Sequence, residues 1–443
     1  MPKRENLKLD YALMLRGGCG PYGKPEGDMP AMLQDLSAVK TSLRSQWKSG
    51  RVPFFSVLDR QEDIAAARAL ATDVRRRFKT LVVVGIGGSD LGTRAILKAL
   101  PPAKGGMTVN FLGANTDPEE VAAVLKEVDW RRTALNVVSK SGNTVEPLAT
   151  FLVLRDRLIR AVGRKAHASH VICTTGESGA LREIARREGY RTLPVPEDVG
   201  GRFSVLTPVG LFPIACAGLD AKGLLAGAAA VRDEFSSAPV GRNAPLIWAG
   251  LQHDAFFRGE RITVLMPYAE SLREFAFWFR QLWAESLGKS HDRDGRIVHA
   301  GFTPVAALGA TDQHSQIQLY AEGPADKTVT FIEVEKMRAD FTVPKPYSDL
   351  EGAAYLGGHR MSAILKAERL ATARALAVAG HPNCTLTLPG VTPASIGGLL
   401  MFFMVATAAA AELFEVNAYD QPGVEAGKQI IYSLLGRRSS SKR

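Results

Sequence analysis

The feature that most constrains this chain is a regular alternation of short apolar runs and amphipathic segments between residues 80 and 195. Residues 80–84, 107–112, 134–138, 170–174 and 192–195 have the length and composition of buried strands. Residues 90–100, 118–128, 145–162 and 178–188, lying between them, read as helices. Strands alternating with helices imply a parallel sheet covered on both faces. After a mostly helical stretch, 207–258, the alternation restarts with strands at 261–266, 328–334 and 384–388. Helices at 271–283, 352–379 and 396–413 accompany them. The expected fold is α/β, with two mostly parallel sheets between helices and a cleft between the units. The expected domains are residues 61–220 and 221–415.

Residues 1–60 read as an N-terminal helical extension. Leu33, Leu36, Val39, Leu43 and Trp47 fall at helical spacing after a Gly/Pro-rich loop at 17–27. Residues 416–443 read as a last helix, 424–435, and a basic, serine-rich tail, 437–443. The stretch 396–413 is long enough to span a bilayer. It is dense in Ala and Gly and ends at glutamates, so a buried core helix is expected and no membrane partner.

The net charge of +10 suits an anionic partner. The basic residues are spread along the chain and no zinc-finger or RNP-type motif occurs, so nucleic acid is not the expected one. Cys19, Cys173, Cys216 and Cys384 form no CxxC pair and read as buried, reduced thiols in a cytoplasmic protein. The N-terminal residues have no apolar run behind them that would mark a signal peptide.

Residues 136–146 run from the end of a strand into a turn of small hydroxyl residues at a helix start. Such a turn directs free N–H groups at one spot, where Ser139, Ser141 and Thr144 add hydroxyls and Lys140 adds charge. A phosphate fits there. An ordinary capped helix, with Ser141 or Asn143 as cap, is the competing reading.

Gly85-Ile86-Gly87-Gly88-Ser89-Asp90-Leu91-Gly92 also follows a strand, but Asp90 breaks the dinucleotide fingerprint. Its glycines let the backbone pass close to a ligand or another strand, and Ser89 can donate to a small anion. Gly288-Lys289-Ser290 is not a Walker A loop, because Trp283 stands where its first glycine belongs. The Gly200-Gly201 pair places Arg202, a permanent cation suited to a developing oxyanion.

Glu285 follows the apolar helix 275–283 and precedes Gly288. Partial desolvation tunes a carboxylate toward base strength. Taken singly, Arg202, Glu285, His314 and Lys428 each have a bland alternative as surface groups. His291 and His299 flank Asp292 and Asp294 without metal-ligand spacing, and no metal site or cofactor is expected.

Taken together, residues 85–92, 139–146, 200–204, 281–289 with Gln313-His314, and 420–428 resemble the phosphoglucose isomerase family, in its shorter bacterial form. The resemblance runs from about residue 80 to the last helix. Asp420-Gln421-Pro422-Gly423-Val424-Glu425 is among its most specific pieces. It implies two sugar-isomerase (SIS-type) domains with helical N- and C-terminal extensions. It implies that Ser139, Ser141 and Thr144, with Lys140 beside them, hold a sugar phosphate, with Ser89, Gln281 and Gln421 lining the site. Glu285 becomes the base between C1 and C2, Arg202 the stabiliser of the enediolate, and His314 and Lys428 the ring-opening pair. A homodimer with sites at the interface is implied, His314 coming from the neighbouring subunit. Leu287 and Pro147 depart from the residues common in the family, and neither carries a chemical role. A sugar-phosphate sensor of the same fold without turnover is the alternative.

Overall fold

The computed structural model describes residues 7–436 except Pro102. The basic tail, residues 437–443, and the first six residues lie outside the described residues.

In chain order the strands are β1 (Lys8–Asp10), β2 (Thr80–Val84), β3 (Thr108–Leu112), β4 (Thr133–Ser139), β5 (Val171–Thr175) and β6 (Arg191–Pro194). They continue as β7 (Ile262–Pro267), β8 (Lys289–His291), β9 (Ile297–Ala300), β10 (Thr303–Ala306), β11 (Lys327–Lys336) and β12 (Asn383–Gly390). The first sheet has the order β3-β2-β4-β5-β6, with every pairing parallel. Its central strand β4 is buried along its whole length, as a strand covered on both faces must be. The chain leaves β2 toward β3 on one side and returns to β4 on the other. The loops after β2 and β4 therefore diverge at a topological switch point, where open α/β sheets leave a crevice.

The second sheet has the order β1-β12-β11-β7-β10 and is parallel except for β1. The first sixty residues are thus not helical alone, since Lys8–Asp10 adds an antiparallel edge strand to the distant second sheet. Sequence periodicity also missed β10, an edge strand containing Pro304 and lacking a fully buried residue. The β8–β9 hairpin went unread for a similar reason, its residues being mostly exposed. The helix expected over 352–379 is broken into Glu351–Ala354 and Met361–Val378, with Gly358 at φ 91° between them.

The helix Pro393–Leu413 is long and apolar enough to cross a membrane, but every residue from Ser395 to Ala411 is buried in the protein. It packs on Ala221–Ser237 so closely that a Cβ on Gly397 would fall 1.8 Å from the Leu224 carbonyl oxygen. Trp248 and Phe279 pack on its Phe403, with Trp283 against Trp248. The helix Arg273–Leu287 leaves β7 and lies against Leu91–Ala99, the helix that follows β2. That contact joins the two sheets' layers at the switch point.

Candidate active site

The hydroxyl turn after β4 does not supply the side-chain cap of the competing reading. Thr144 is the N-cap of the helix Val145–Val162, yet its side chain makes no capping bond. Its Oγ1 lies 3.0 Å from Ser139 Oγ and 3.4 Å from Ser141 Oγ. Asn143 caps a different helix, its Oδ1 accepting from the Ala180 N–H at 3.0 Å. The hydroxyls therefore form a cluster at a helix N-terminus without being tied to that helix. Lys140 is held beside them, its Nζ donating to the carbonyls of Glu197 (2.7 Å) and Val199 (2.9 Å). Burial lowers its pKa, opposed by Asp198 and Glu197.

These groups line a cleft of about 500 Å³ that also takes in Ser89, Gly200, Gly201, Gln421 and Lys428. The turn after β2 meets the Arg202 turn backbone to backbone. A Cβ on Gly88 would come within 2.1 Å of the Gly201 carbonyl oxygen, so this approach requires glycine. Lys428 reaches the cleft from the last helix, Glu425–Leu434, and pairs with Glu425 at 2.6 Å.

Arg202 is 2% exposed. Its Nε donates to Ser286 Oγ at 2.7 Å, its Nη1 to Gln421 Oε1 at 2.9 Å, and its Nη2 to the carbonyls of Asp420 (3.0 Å) and Ala418. Nη1 also stands 3.5 Å from Glu285 Oε2. Burial lowers the Arg202 pKa, and Glu285 and then Asp420 oppose that shift.

Glu285 itself departs from the sequence expectation. The helix does not stop at Trp283 but runs to Leu287, because Ser286 and Leu287 continue its buried face. Glu285 sits in its last turn. It is not isolated against an apolar wall, for it faces Arg202 and accepts from Gln281 Nε2 at 3.1 Å. Gln281 lies one turn earlier, against Gly87, and its Oε1 is buried with no hydrogen-bond partner in the protein.

Arg202, Gln281 and Glu285 do not line the cleft themselves; they form a bonded group that meets it at Gln421. His314 is exposed and does not line the cleft either. Conversely, sequence reasoning missed Glu177 and Ser178, which follow β5 and line the cleft, and Tyr419. The position of Glu177 and Ser178 just past the end of a parallel strand was the available signal. Among the described residues no group of three or more His, Cys, Asp or Glu side chains is placed to hold a metal ion.

A family model described as phosphoglucose isomerase matches residues 62–443. This chain belongs to the phosphoglucose isomerase family. Within the family it is 45% identical to the glucose-6-phosphate isomerase of Rubrobacter xylanophilus over 98% of each chain. It is 40% identical to that of Carboxydothermus hydrogenoformans, over 97% of this chain and 95% of the relative. Among solved structures it is similar to a hypothetical protein of Thermus thermophilus, at a TM-score of 0.86 and 37% identity. That match covers 97% of this chain and all of the other. A glucose-6-phosphate isomerase from Chlamydia trachomatis matches at a TM-score of 0.76 and 27% identity, over 85% of this chain and 73% of that one.

Proposed function

We propose that this protein reversibly isomerises glucose 6-phosphate and fructose 6-phosphate by ring opening and proton transfer through an enediolate. The observation that carries the reading is the Glu285 carboxylate held 3.5 Å from the buried Arg202 guanidinium, beside a cleft that gathers unassigned hydroxyls. In this reading Ser139, Ser141 and Thr144 hold the phosphate, with Ser89 and Lys140 beside it. The anchored sugar then presents C1 and C2 to Glu285, which moves the proton between them. Arg202 meets the oxygen where negative charge develops, and its fixed hydrogen bonds mean that it needs little reorganisation. Gln281 and Gln421 orient the sugar. Lys428 acts on ring opening together with His314 of the partner subunit.

A homodimer belongs to the same proposal. His314 is exposed and does not line the cleft of its own chain, which fits donation to a neighbour. Ile430, Leu434 and Leu435 at the C-terminal helix, and Phe341, Tyr347 and Tyr355 on the excursion after β11, are exposed apolar side chains that a second copy can cover. The division into domains 61–220 and 221–415, with flanking pieces 1–60 and 416–443, is proposed on the two sheets. A cytoplasmic setting fits a phosphorylated sugar and free, buried cysteines.

The test is direct. Purified protein supplied with glucose 6-phosphate should form fructose 6-phosphate, and absence of product from folded protein would overturn the reading. For the assembly, mixing inactive Glu285→Gln and His314→Ala parents should rebuild complete sites. No recovery despite demonstrated subunit exchange would mean that each site is made within one chain.

A further inference from the structure

Lys289 follows the glycine that ends the Glu285 helix and opens β8. It is 7% exposed, an unusual position for an ammonium group. Its Nζ donates to the main-chain carbonyls of Glu285 at 2.8 Å and Ser286 at 3.0 Å. These lie in the last turn of the helix, where carbonyls have no partner of their own. The same Nζ stands 3.6 Å from Asp420 Oδ1.

Asp420 belongs to the segment that supplies Gln421. Its other carboxylate oxygen accepts from Asn417 Nδ2 at 2.9 Å, and its main-chain oxygen accepts from Arg202 at 3.0 Å. The segment 417–421 is therefore gripped from two sides, by Arg202 on its backbone and by Lys289 on its carboxylate. The charged groups that act on Lys289 are Arg202, Asp420 and Glu285. Burial and then the charge of Arg202 lower its pKa, while Asp420 opposes them, so Asp420 offsets the juxtaposition of two buried cations.

We propose that Lys289 is a positioning residue that ties the last turn of the Glu285 helix to the Asp420 segment, keeping the base and Gln421 in one fixed frame. The proposal rests on the functional reading above. Lys289 does not line the cleft and is given no contact with substrate. A base displaced by even an ångström loses much of its rate.

Lys289→Met should therefore lower kcat by roughly 10-fold or more. Affinity for a phosphorylated competitive inhibitor should change less than about 2-fold, since the Ser139–Thr144 turn is untouched. Lys289→Arg, which keeps a cation of similar reach, should recover most of the lost kcat. Asp420→Asn, at a carboxylate that is 51% exposed and so tolerant of change, should lower kcat in the same direction. The double variant should be no worse than Lys289→Met alone. Amide hydrogen exchange of residues 418–421 should speed up in Lys289→Met and Asp420→Asn alike, a readout that needs no activity. Multiplying effects in the double variant, or unchanged exchange in 418–421, would overturn the proposal. A wild-type protein that does not isomerise the sugar would sink the functional reading, while the exchange experiment still decides the tie itself.

Discussion

Two regions meet at the cleft through Gln421 and are built on opposite plans. The phosphate-side turn comes from one short stretch, 139–144, whose three hydroxyls lie against one another, with Lys140 held aside on the carbonyls of Glu197 and Val199. The proton-transfer side draws Arg202, Gln281, Glu285 and Gln421 from three distant stretches, and Arg202 is bonded to protein groups around its fork. Hydroxyls can rotate to meet an incoming dianion, and the region's one cation, Lys140, is already held by two main-chain carbonyls. A buried arginine must be paired before substrate arrives. The hydroxyls of the first region are consequently less bound into the fold than the arginine of the second.

The largest effect should come from Arg202→Leu. It leaves the Glu285 carboxylate without its cation and the carbonyls of Ala418 and Asp420 without their donor, so native stability should drop by about 3–5 kcal/mol, with activity lost. Denaturant unfolding reads it, and an unchanged midpoint would erase the contrast between the regions. Glu285→Gln keeps size and hydrogen bonding but cannot take a proton. Isomerisation should fall by roughly 100-fold or more while sugar-phosphate binding stays near normal. Exchange of the C2 hydrogen with solvent should fall in parallel. Exchange at the parent rate would assign the base to another residue.

On the opposite side, Thr144→Ala should weaken binding of a phosphorylated inhibitor by about 1–3 kcal/mol with little change in unfolding. If both Thr144→Ala and Ser139→Ala bind as the parent does, the turn is not the phosphate site. A buried pair away from the cleft sharpens the comparison with the smallest effect. Glu260 is 5% exposed and bonds to Arg258 at 3.0 Å, yet burial raises its pKa from 4.5 to about 7 against the pull of Arg258. Between those values the native state holds more protons at this group than the unfolded chain. Its contribution to stability therefore falls as pH rises through that window. Glu260→Gln should flatten this part of the stability profile, by about 1 kcal/mol or more between pH 4.5 and 8. A slope identical to the parent's would place the titration elsewhere.

Regions legible in the sequence were those whose residues interact locally. The first sheet's strands and helices were readable because buried parallel strands are continuous apolar runs. The Ser139–Thr144 turn was readable because a strand end, hydroxyls and a helix start are adjacent in the chain. Arg202, Glu285, His314 and Lys428 carried no local signal strong enough to set them apart from surface groups. The resemblance to a family linked them. Edge elements such as β1 and β10 stayed invisible because half-exposed strands lack a buried run.

By itself, then, the sequence determined the two α/β units, the buried helix Pro393–Leu413 and the gathering of hydroxyls at the turn 139–144, all consequences of periodicity and local adjacency. Tertiary structure decided the strand order that opens the cleft between β2 and β4. It also decided that Thr144 leaves its helix uncapped, that Glu285 lies inside a helix facing Arg202, and that Lys289 reaches Asp420. Each of these depends on which distant segments meet. Pairing across hundreds of residues is set by the packing of whole layers, which no short stretch of chain encodes.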